Sequence, residues 1–267
     1  MVASSYGDRP TLLDLLKEPV SDIQDFFLLA GKAYRNILRR PHYWDDVFLQ
    51  MDSIGVGSLV IVALTGFFSG AVMALQMARA LQTYGSVGKT GMLVSISLVR
   101  ELGPVLSAIM VVARNASGMA SELGSMKVTE QIDAMRALGT DPVQKLVTPR
   151  LIATATMLPL LTTIADFVGM FGGWIIARLF LSIGSVQYWN SVWKILVWND
   201  LLQGLLKPFI FGNMIALVGC YYGLRTTGGT QGVGRSTTQA VVAAGILIFI
   251  LDLMLTQCFV YANSMGS

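Results

Sequence analysis

The sequence is short of charge and nearly without histidine and cysteine. Only 13% of its 267 residues are charged, against about 25% in a soluble domain, whereas 54% are hydrophobic and the mean hydropathy is +0.61. A chain with so little charge cannot cover its surface in water, so the composition predicts an integral membrane protein. The net charge of +3 is too small to indicate nucleic-acid binding.

The scarcity of reactive side chains excludes several kinds of site. His42 has no ligand cluster around it, and Cys220 and Cys258 stand alone within apolar runs. We therefore expect neither a metal site nor a disulfide, and no cofactor bound by this chain. A single histidine ahead of the first apolar segment also cannot complete a Ser/His/Asp or Cys/His catalytic set.

Two glycine-containing segments only partly match nucleotide-binding motifs. Gly88-Lys89-Thr90 matches the end of a phosphate-binding loop, but Thr83 stands where the motif requires glycine. The segment GGTQGVG at residues 228–234 lacks the G-x-G-x-x-G spacing. We therefore expect this chain not to be an enzyme and not to hydrolyse ATP by itself.

Apolar segments long enough to cross a bilayer, which takes about 20 residues, recur along the chain. They cover about residues 53–78, 90–113, 151–177, 201–224 and 236–262. The sequence thus predicts an all-α fold with five transmembrane helices in a domain over residues 41–267. Gly66 and Gly70 in the first segment permit a close helix–helix contact, but this spacing is too common in membrane helices to indicate a dimer.

Residues 1–40 form a separate N-terminal region. Its first half, residues 1–20, is polar and is predicted to be irregular apart from a short helical turn around Leu12–Leu16. Ser21 with Gln24 then predicts the start of a helix that Pro41 ends. One face of this helix is apolar and aromatic, and basic residues crowd its C-terminal half. The pattern predicts a helix lying in the membrane interface, with a soluble helix packed on a neighbour as the alternative.

Charged residues inside the apolar segments need an explanation. Arg100 and Glu101 interrupt the second segment, where each charge costs about 2.5–3.5 kcal/mol on insertion scales. Adjacent helical residues point about 100° apart, so the two cannot simply pair with each other. They line either a substrate path or a buried ion network. Lys207 and Asp252 lie at similar depths of the fourth and fifth segments if these are antiparallel, so we predict that they pair.

A polar interval over residues 127–150 separates the second and third segments. Ser125 as N-cap and Gly139 just past the C-terminus delimit a predicted helix over about residues 126–138. Its apolar stripe consists of Val128, Ile132, Met135 and Leu138. The helix is too short and too charged to span a bilayer, so it must lie on another surface.

Basic residues beside the segments predict the orientation. With a cytoplasmic N-terminus, the polar helix and most of the lysines and arginines fall in the cytoplasm, whereas Arg79, Lys89 and Lys194 fall outside. The C-terminus then lies outside as well. Asp166, in the third segment, has no role that the sequence reveals.

Several motifs together resemble the MlaE/YrbE permease family of ABC transporters. They are EQIDAMRALGTDP at residues 130–142 followed by Pro149-Arg150, LVRELGP at residues 98–104, GRSTTQAVV at residues 234–242, and Leu251-Asp252. The resemblance covers about residue 41 to the end. It implies a homodimeric inner-membrane permease with a periplasmic C-terminus. The implied partners are cytoplasmic ATPase subunits, which would bind ATP and Mg²⁺, an MCE-domain protein and often a STAS-domain protein.

The resemblance also implies a substrate and functional residues. Family members move phospholipids between the inner and outer membranes, and relatives handle sterols or other lipids. The predicted lipid path contains Arg100, Glu101, Lys207 and Asp252, and the polar helix becomes a coupling helix that docks on the ATPase. Its predicted contact residues are Glu130, Gln131, Ile132, Asp133, Ala134, Met135 and Arg136. The alternatives are a membrane enzyme acting on lipids and a non-transporting scaffold for an MCE protein.

Overall fold

The structure is a computed structural model that describes the backbone of residues 12–265 and the side chains of residues 21–262. All regular structure in this range is helical, which confirms the predicted all-α class. The α-helices are α1 (Leu12–Ile37), α2 (Trp44–Met51), α3 (Gly57–Gln82), α4 (Thr90–Ser97), α5 (Gly103–Val111), α6 (Ser117–Val128), α7 (Gln131–Ala137), α8 (Thr148–Phe180), α9 (Ser185–Ile195), α10 (Trp198–Leu224) and α11 (Gly229–Met265). Single π-helical turns lie at Asp52–Val56, Leu98–Leu102, Val112–Ala116 and Val143–Val147, and a 3₁₀ turn at Val87–Lys89.

Within the described residues 12–265, consecutive helices and turns merge into 5 spans that are long and apolar enough to cross a membrane, as predicted. The spans are Trp44–Gln82, Val87–Val128, Val143–Phe180, Trp198–Leu224 and Gly229–Ala262. They extend beyond the apolar segments because a helix continues into its polar flanks. Hydropathy therefore locates the part of the helix that can cross a bilayer and not the helix ends.

Glycine contacts hold the first span directly against the third. A Cβ on Gly66 would stand 2.4 Å from the carbonyl oxygen of Ala165, and a Cβ on Gly70 would stand 1.9 Å from that of Gly169. The two backbones therefore touch, which only small residues allow. The Gly66/Gly70 pair thus packs α3 against α8 within one chain.

The centre of the bundle is α10, which contacts α5, α6, α8 and α11. Phe211 and Ile215 of α10 are fully buried in an apolar core shared with α5, α8 and α11. Gly212 brings α10 close to α8, since a Cβ there would lie 2.6 Å from the carbonyl oxygen of Thr154. By contrast, α11 lies at the rim and exposes large apolar side chains such as Phe249 and Leu253.

The N-terminal helix differs from its predicted bounds. It already begins at Leu12, so Ser21 lies inside α1 and is not its N-cap, and it ends at Ile37, before Pro41. A helix can accommodate a proline such as Pro19 at the loss of one backbone hydrogen bond, and Pro19 therefore did not set the boundary. Residues 1–11, predicted to be irregular, lie outside the described residues.

The predicted apolar face of α1 divides into two surfaces. Phe26, Ala30 and Ile37 of that face pack partly buried against the bundle, whereas Ile23, Phe27 and Tyr34 remain exposed. The helix therefore packs on neighbouring spans and also presents apolar and aromatic side chains outward. The interfacial position of α1 stays a prediction.

Candidate functional site

Charged side chains from the second, fourth and fifth spans meet around Lys207. The Nζ atom of Lys207 donates hydrogen bonds to Glu101 Oε2 at 2.7 Å, to Asp252 Oδ1 at 2.9 Å and to Thr256 Oγ1 at 2.8 Å. The predicted Lys207–Asp252 pair is therefore present. Thr256 Oγ1 also lies 3.2 Å from Glu101 Oε1, which links the carboxylate to α11 a second time.

Arg100 turns to a different partner, as the angle between adjacent helical residues predicted. Its Nε donates to Asp200 Oδ1 at 2.6 Å, while Asp200 Oδ2 accepts the backbone N–H of Val197 at 3.1 Å. Asp200 is fully buried in the first turn of α10. A carboxylate in this position caps exposed backbone N–H groups and complements the helix dipole, so Asp200 is held in place before it meets Arg100.

The cluster is closed on one side and open on the other. The side chain of Lys207 is only 1% exposed, whereas those of Glu101 and Arg100 are 41% and 40% exposed. Burying an ammonium costs several kcal/mol unless it is paired, and here two carboxylates surround it. The arrangement therefore seals the lysine inside the bundle and brings Glu101 and Arg100 to the bundle surface, in the middle of the second span.

The predicted polar helix over residues 126–138 is broken in the structure. The second span continues as α6 through Val128, with Ser125 inside it, and α7 starts only at Gln131. Between them Glu130 adopts the left-handed conformation, with φ 59°, which turns the chain. The 3.6-residue spacing of apolar residues runs across this break, so the pattern did not reveal it.

Tertiary packing uses only part of the predicted apolar stripe. Ile132 is fully buried, whereas Leu138 is 84% exposed. Met135 is half-buried, and the remaining predicted coupling residues, Glu130, Gln131, Asp133, Ala134 and Arg136, are all exposed. One side of α7 is therefore fixed on the bundle through Ile132, and the other presents a charged surface that ends in an exposed leucine.

The C-terminal end of α7 is well defined. Gly139, with φ 79°, follows the C-cap as predicted: its N–H bonds the Arg136 carbonyl at 3.0 Å, and the N–H of Thr140 bonds the Met135 carbonyl at 3.0 Å. This pair of bonds is the Schellman motif.

On the exposed face of α7, the hydrogen bond and charge of Lys127 lower the pKa of Asp133, with a further contribution from Arg136.

Ion pairs connect the segment after α7 to the rest of the bundle. Asp141 accepts hydrogen bonds from Lys32 and Asn36 of α1, at 2.9 Å and 3.3 Å. At the start of α8, buried Arg150 pairs with Glu122 of α6 at 2.8 Å. Asp141 therefore ties the segment after α7 to α1, and Arg150 ties the start of α8 to α6.

The sequence model of the family described as Permease MlaE matches residues 47–258. This chain belongs to the MlaE permease family. A protein from Rickettsia felis named "Probable ABC transporter permease protein" is 40% identical over 258 residues, which cover 97% of each chain. "Intermembrane phospholipid transport system permease protein MlaE" from Haemophilus influenzae is 30% identical over 240 residues, 87% of this chain and 92% of that protein. "Protein TRIGALACTOSYLDIACYLGLYCEROL 1, chloroplastic" from Arabidopsis thaliana is 35% identical over 232 residues, 87% of this chain and 66% of that protein.

Family membership makes the chain a membrane-spanning permease of the ABC-transporter type. The matched residues 47–258 include the whole Lys207 cluster and all of α7. The functional roles of these residues remain predictions.

Two members of the cluster were missing from the sequence prediction. Asp200 lies at the edge of its apolar segment, where a carboxylate is usually only a helix-capping residue, and Thr256 has no charge to draw attention. The sequence signal that could have identified Asp200 is its position in the first turn of an apolar span, three residues after the N-cap residue Val197, where a carboxylate can bond the free backbone N–H groups. Thr256 follows Asp252 by four residues, so both lie on one face of α11.

Asp166 does not join the cluster. Its carboxylate is buried against the second span, so close that a Cβ on Gly103 would lie 1.8 Å from Asp166 Oδ1. Among the described residues, this oxygen has no hydrogen-bond partner. Asp166 is thus a separate buried polar group between α5 and α8.

Proposed function

We propose that this permease is the membrane subunit of an ABC transporter that moves phospholipids, with ATP hydrolysed by a separate subunit. The supporting observation is the position of Glu101, which buried Lys207 holds at the bundle surface within a membrane span. A phospholipid carries a charged headgroup on apolar tails, so its path needs an apolar wall with few polar contacts. The name of the Haemophilus influenzae relative describes transport of the same substrate class.

The lipid path in this proposal consists of Arg100, Glu101, Lys207 and Asp252, supplemented by Asp200. Lys207 fixes the Glu101 carboxylate, and Asp200 fixes the Arg100 guanidinium, so both exposed charges are pre-oriented. A zwitterionic headgroup can meet the guanidinium with its phosphate and the carboxylate with its ammonium. The exposed apolar side chains of α11 would face the tails.

Helix α7 is the proposed coupling helix. Its exposed face carries Glu130, Asp133 and Arg136, which suit a polar groove on a partner, while buried Ile132 ties the helix to the bundle. Closure of the ATPase would push α7, the Asp141 ion pair would transmit the motion to α1, and the Arg150–Glu122 pair would couple the movements of α8 and α6. Rearrangement of the spans around Glu101 would then admit or expel a lipid.

The proposed assembly is a homodimer in the inner membrane, with ATPase subunits at α7 and an MCE-domain protein on the opposite side. Only 11% of the most apolar stretch of the fifth span is buried against the rest of the chain, which leaves a large apolar surface for lipid or a second copy. The distribution of basic residues supports a cytoplasmic N-terminus and a periplasmic C-terminus.

Reconstitution tests the function. The permease, its ATPase and its MCE partner are placed in vesicles that contain isotope-labelled phospholipid, and ATP-dependent transfer is measured. We expect transfer to fall at least about tenfold in Glu101→Gln, because loss of one charge-assisted hydrogen bond costs about 1.5–3 kcal/mol. Transfer should persist in the control Asp45→Asn, which alters an exposed carboxylate on α2.

A chemically altered lipid would instead indicate an enzyme, and no transfer with intact binding of the MCE protein would indicate a scaffold. Transfer of a sterol in place of phospholipid would redirect the proposal to that lipid.

Docking of the ATPase has its own test. Glu130→Lys reverses an exposed charge at the start of α7. Glutamate and lysine are equally strained in the left-handed conformation of this position, so the permease should stay folded. We expect loss of ATPase co-purification, whereas Asp45→Lys, the same type of reversal on α2, should retain it. ATPase recovery at the unmodified level with Glu130→Lys would contradict the coupling role.

A further inference from the structure

A cleft lined by apolar, amide and basic side chains lies at the end of the bundle opposite α7. It occupies about 500 Å³ between the Val87–Lys89 turn and α9. Its wall includes two ammonium groups, those of Lys89 and Lys194, and two side-chain amides, those of Gln187 and Asn190. This cleft is separate from Glu101 and from the lipid path proposed above.

One wall of the cleft, helix α9, is docked tightly on both α8 and α4. The hydroxyl of Tyr188 on α9 is buried and donates to the Met170 carbonyl of α8 at 3.1 Å. On the α4 side, a Cβ on Gly91 would lie 2.5 Å from Ser191 Oγ, so α9 sits directly on the α4 backbone. The cleft is therefore preformed by packing.

The charged residues that line the cleft, Lys89 and Lys194, are both basic. Neither Lys89 nor Lys194 has an ion-pair partner within the described part of the chain. Residues 79–97 and 178–199, which form this end of the bundle, contain no Asp or Glu, and their basic residues are Arg79, Lys89, Arg178 and Lys194. Two ammonium groups in one cleft without a carboxylate repel each other, so an anion between them would be favourable.

The surroundings of the cleft favour a lipid over a soluble anion. Trp193, next to Lys194 on α9, and Trp198, at the start of α10, are exposed at this end of the bundle, and tryptophan is enriched where a membrane meets water. Met92 and Ile195 add an apolar part to the cleft wall next to the basic groups. An amphiphile with a phosphate group and an apolar tail matches both parts.

We propose that this cleft binds the phosphate-bearing headgroup of an anionic phospholipid in the adjacent leaflet. Lys89 and Lys194 pair with the phosphate, the amides of Gln187 and Asn190 donate further hydrogen bonds, and Met92 and Ile195 contact the start of the acyl chains. The bound lipid would fix α9 to the membrane surface. The site does not depend on the proposed transport function, since its test is a binding measurement.

The experiment titrates short-chain phosphatidylglycerol into the purified full-length permease carrying Glu101→Gln, in neutral detergent, because this background weakens the lipid path proposed above and leaves the cleft intact. Bound lipid is counted by native mass spectrometry, and tryptophan emission follows occupancy. We expect Lys89→Ala with Lys194→Ala to weaken binding by about twenty-fivefold, because each lysine near an anionic lipid contributes a factor of about five. The matched control is Arg79→Ala with Arg178→Ala, which removes the same charge from the same end of the bundle and should change binding less than about threefold, since only distant attraction is lost.

A charge-neutral variant separates the amide contacts from general attraction. Gln187→Leu keeps the size of the side chain and removes its amide, so phosphatidylglycerol should bind more weakly while the melting temperature stays unchanged. Equal losses in the lysine and arginine pairs would overturn the proposal, because attraction would then lack a specific site. Equal binding of phosphatidylcholine, or competition by inorganic phosphate at the same concentration as the lipid, would also overturn it.

Discussion

The ammonium of Lys207 donates a hydrogen bond, at 3.0 Å, to the backbone carbonyl of Arg100. In a regular α-helix this carbonyl would accept the N–H of the residue four positions on, which is Pro104 and has none. Lys207 therefore satisfies a carbonyl that the second span exposes inside the membrane, in addition to pairing with two carboxylates. A lysine at this position joins the backbone of one span to side chains of two.

Removal of that ammonium should be costly. Lys207→Met keeps the side chain's length but leaves the carboxylates of Glu101 and Asp252 without their shared cation, so we expect a loss of about 3–5 kcal/mol in the free energy of unfolding. Denaturant titration in detergent measures it, with Lys194→Met as the exposed-lysine control. Neutralising the carboxylates as well, with Glu101→Gln and Asp252→Asn, should recover much of the loss. A loss below about 1 kcal/mol in the single variant would mean that the cluster adds little stability.

The glycine contact between α3 and α8 predicts a strong effect from a single methyl group. Gly70→Ala forces the backbones of the two helices apart, since the Cβ would lie 1.9 Å from the Gly169 carbonyl oxygen, and we expect destabilisation by about 1–3 kcal/mol. Gly118→Ala meets no atom within 4 Å and should stabilise α6 slightly, by about 0.5–1 kcal/mol. Thermal unfolding of both variants in the same detergent compares them, and an unchanged melting temperature for Gly70→Ala would refute the contact.

The end of α7 depends on one left-handed residue. Gly139→Ala places a Cβ at φ 79°, which should cost about 1–2 kcal/mol and fray the last turn of α7. Hydrogen exchange at Gly139 and Thr140, whose N–H groups close the Schellman motif, should become faster. The control is Gly184→Ala, because Gly184 has φ −62° and no atom near its Cβ position. Equal exchange in the two variants would show that the motif does not hold the helix end.

The stability contributed by Asp141 should disappear in acid. Burial works to raise the pKa of the Asp141 carboxyl, but hydrogen bonds from Lys32, the Val143 N–H and Asn36 outweigh it and lower the pKa below 3.8. A folded-state pKa below the unfolded value stabilises the protein above the unfolded pKa, and this contribution is lost as the pH falls through the folded pKa. Asp141→Asn should therefore be less stable than the unmodified permease at pH 6, with the difference shrinking below about pH 4. A difference independent of pH would exclude the ionised carboxylate as its cause.

Several features of the fold and site followed from local sequence. Whether an apolar segment can cross a bilayer depends on its own length and hydropathy, so five spans could be counted without knowledge of how they pack. The Lys207–Asp252 pair was also predictable, because depth in antiparallel spans follows from residue position. Gly139 could be placed at the end of α7 because a left-handed C-terminal position favours glycine through its own backbone.

Other features required the packed structure. The depth of a residue within its span does not determine which neighbouring span its side chain faces. Asp200 and Thr256 therefore could not be assigned to Arg100 and Lys207 in advance. The break at Glu130 left the apolar spacing intact, so only the backbone shows it. Gly66 and Gly70 signalled a close contact without naming its partner, which proved to be α8.

The sequence by itself determined that this protein is a helical membrane bundle, because transfer of apolar side chains into a bilayer is a property of each segment alone. The rotation of each helix about its axis was decided by tertiary structure. Interlocking glycines and buried ion pairs fix that rotation, and their energies depend on atoms far apart in the sequence.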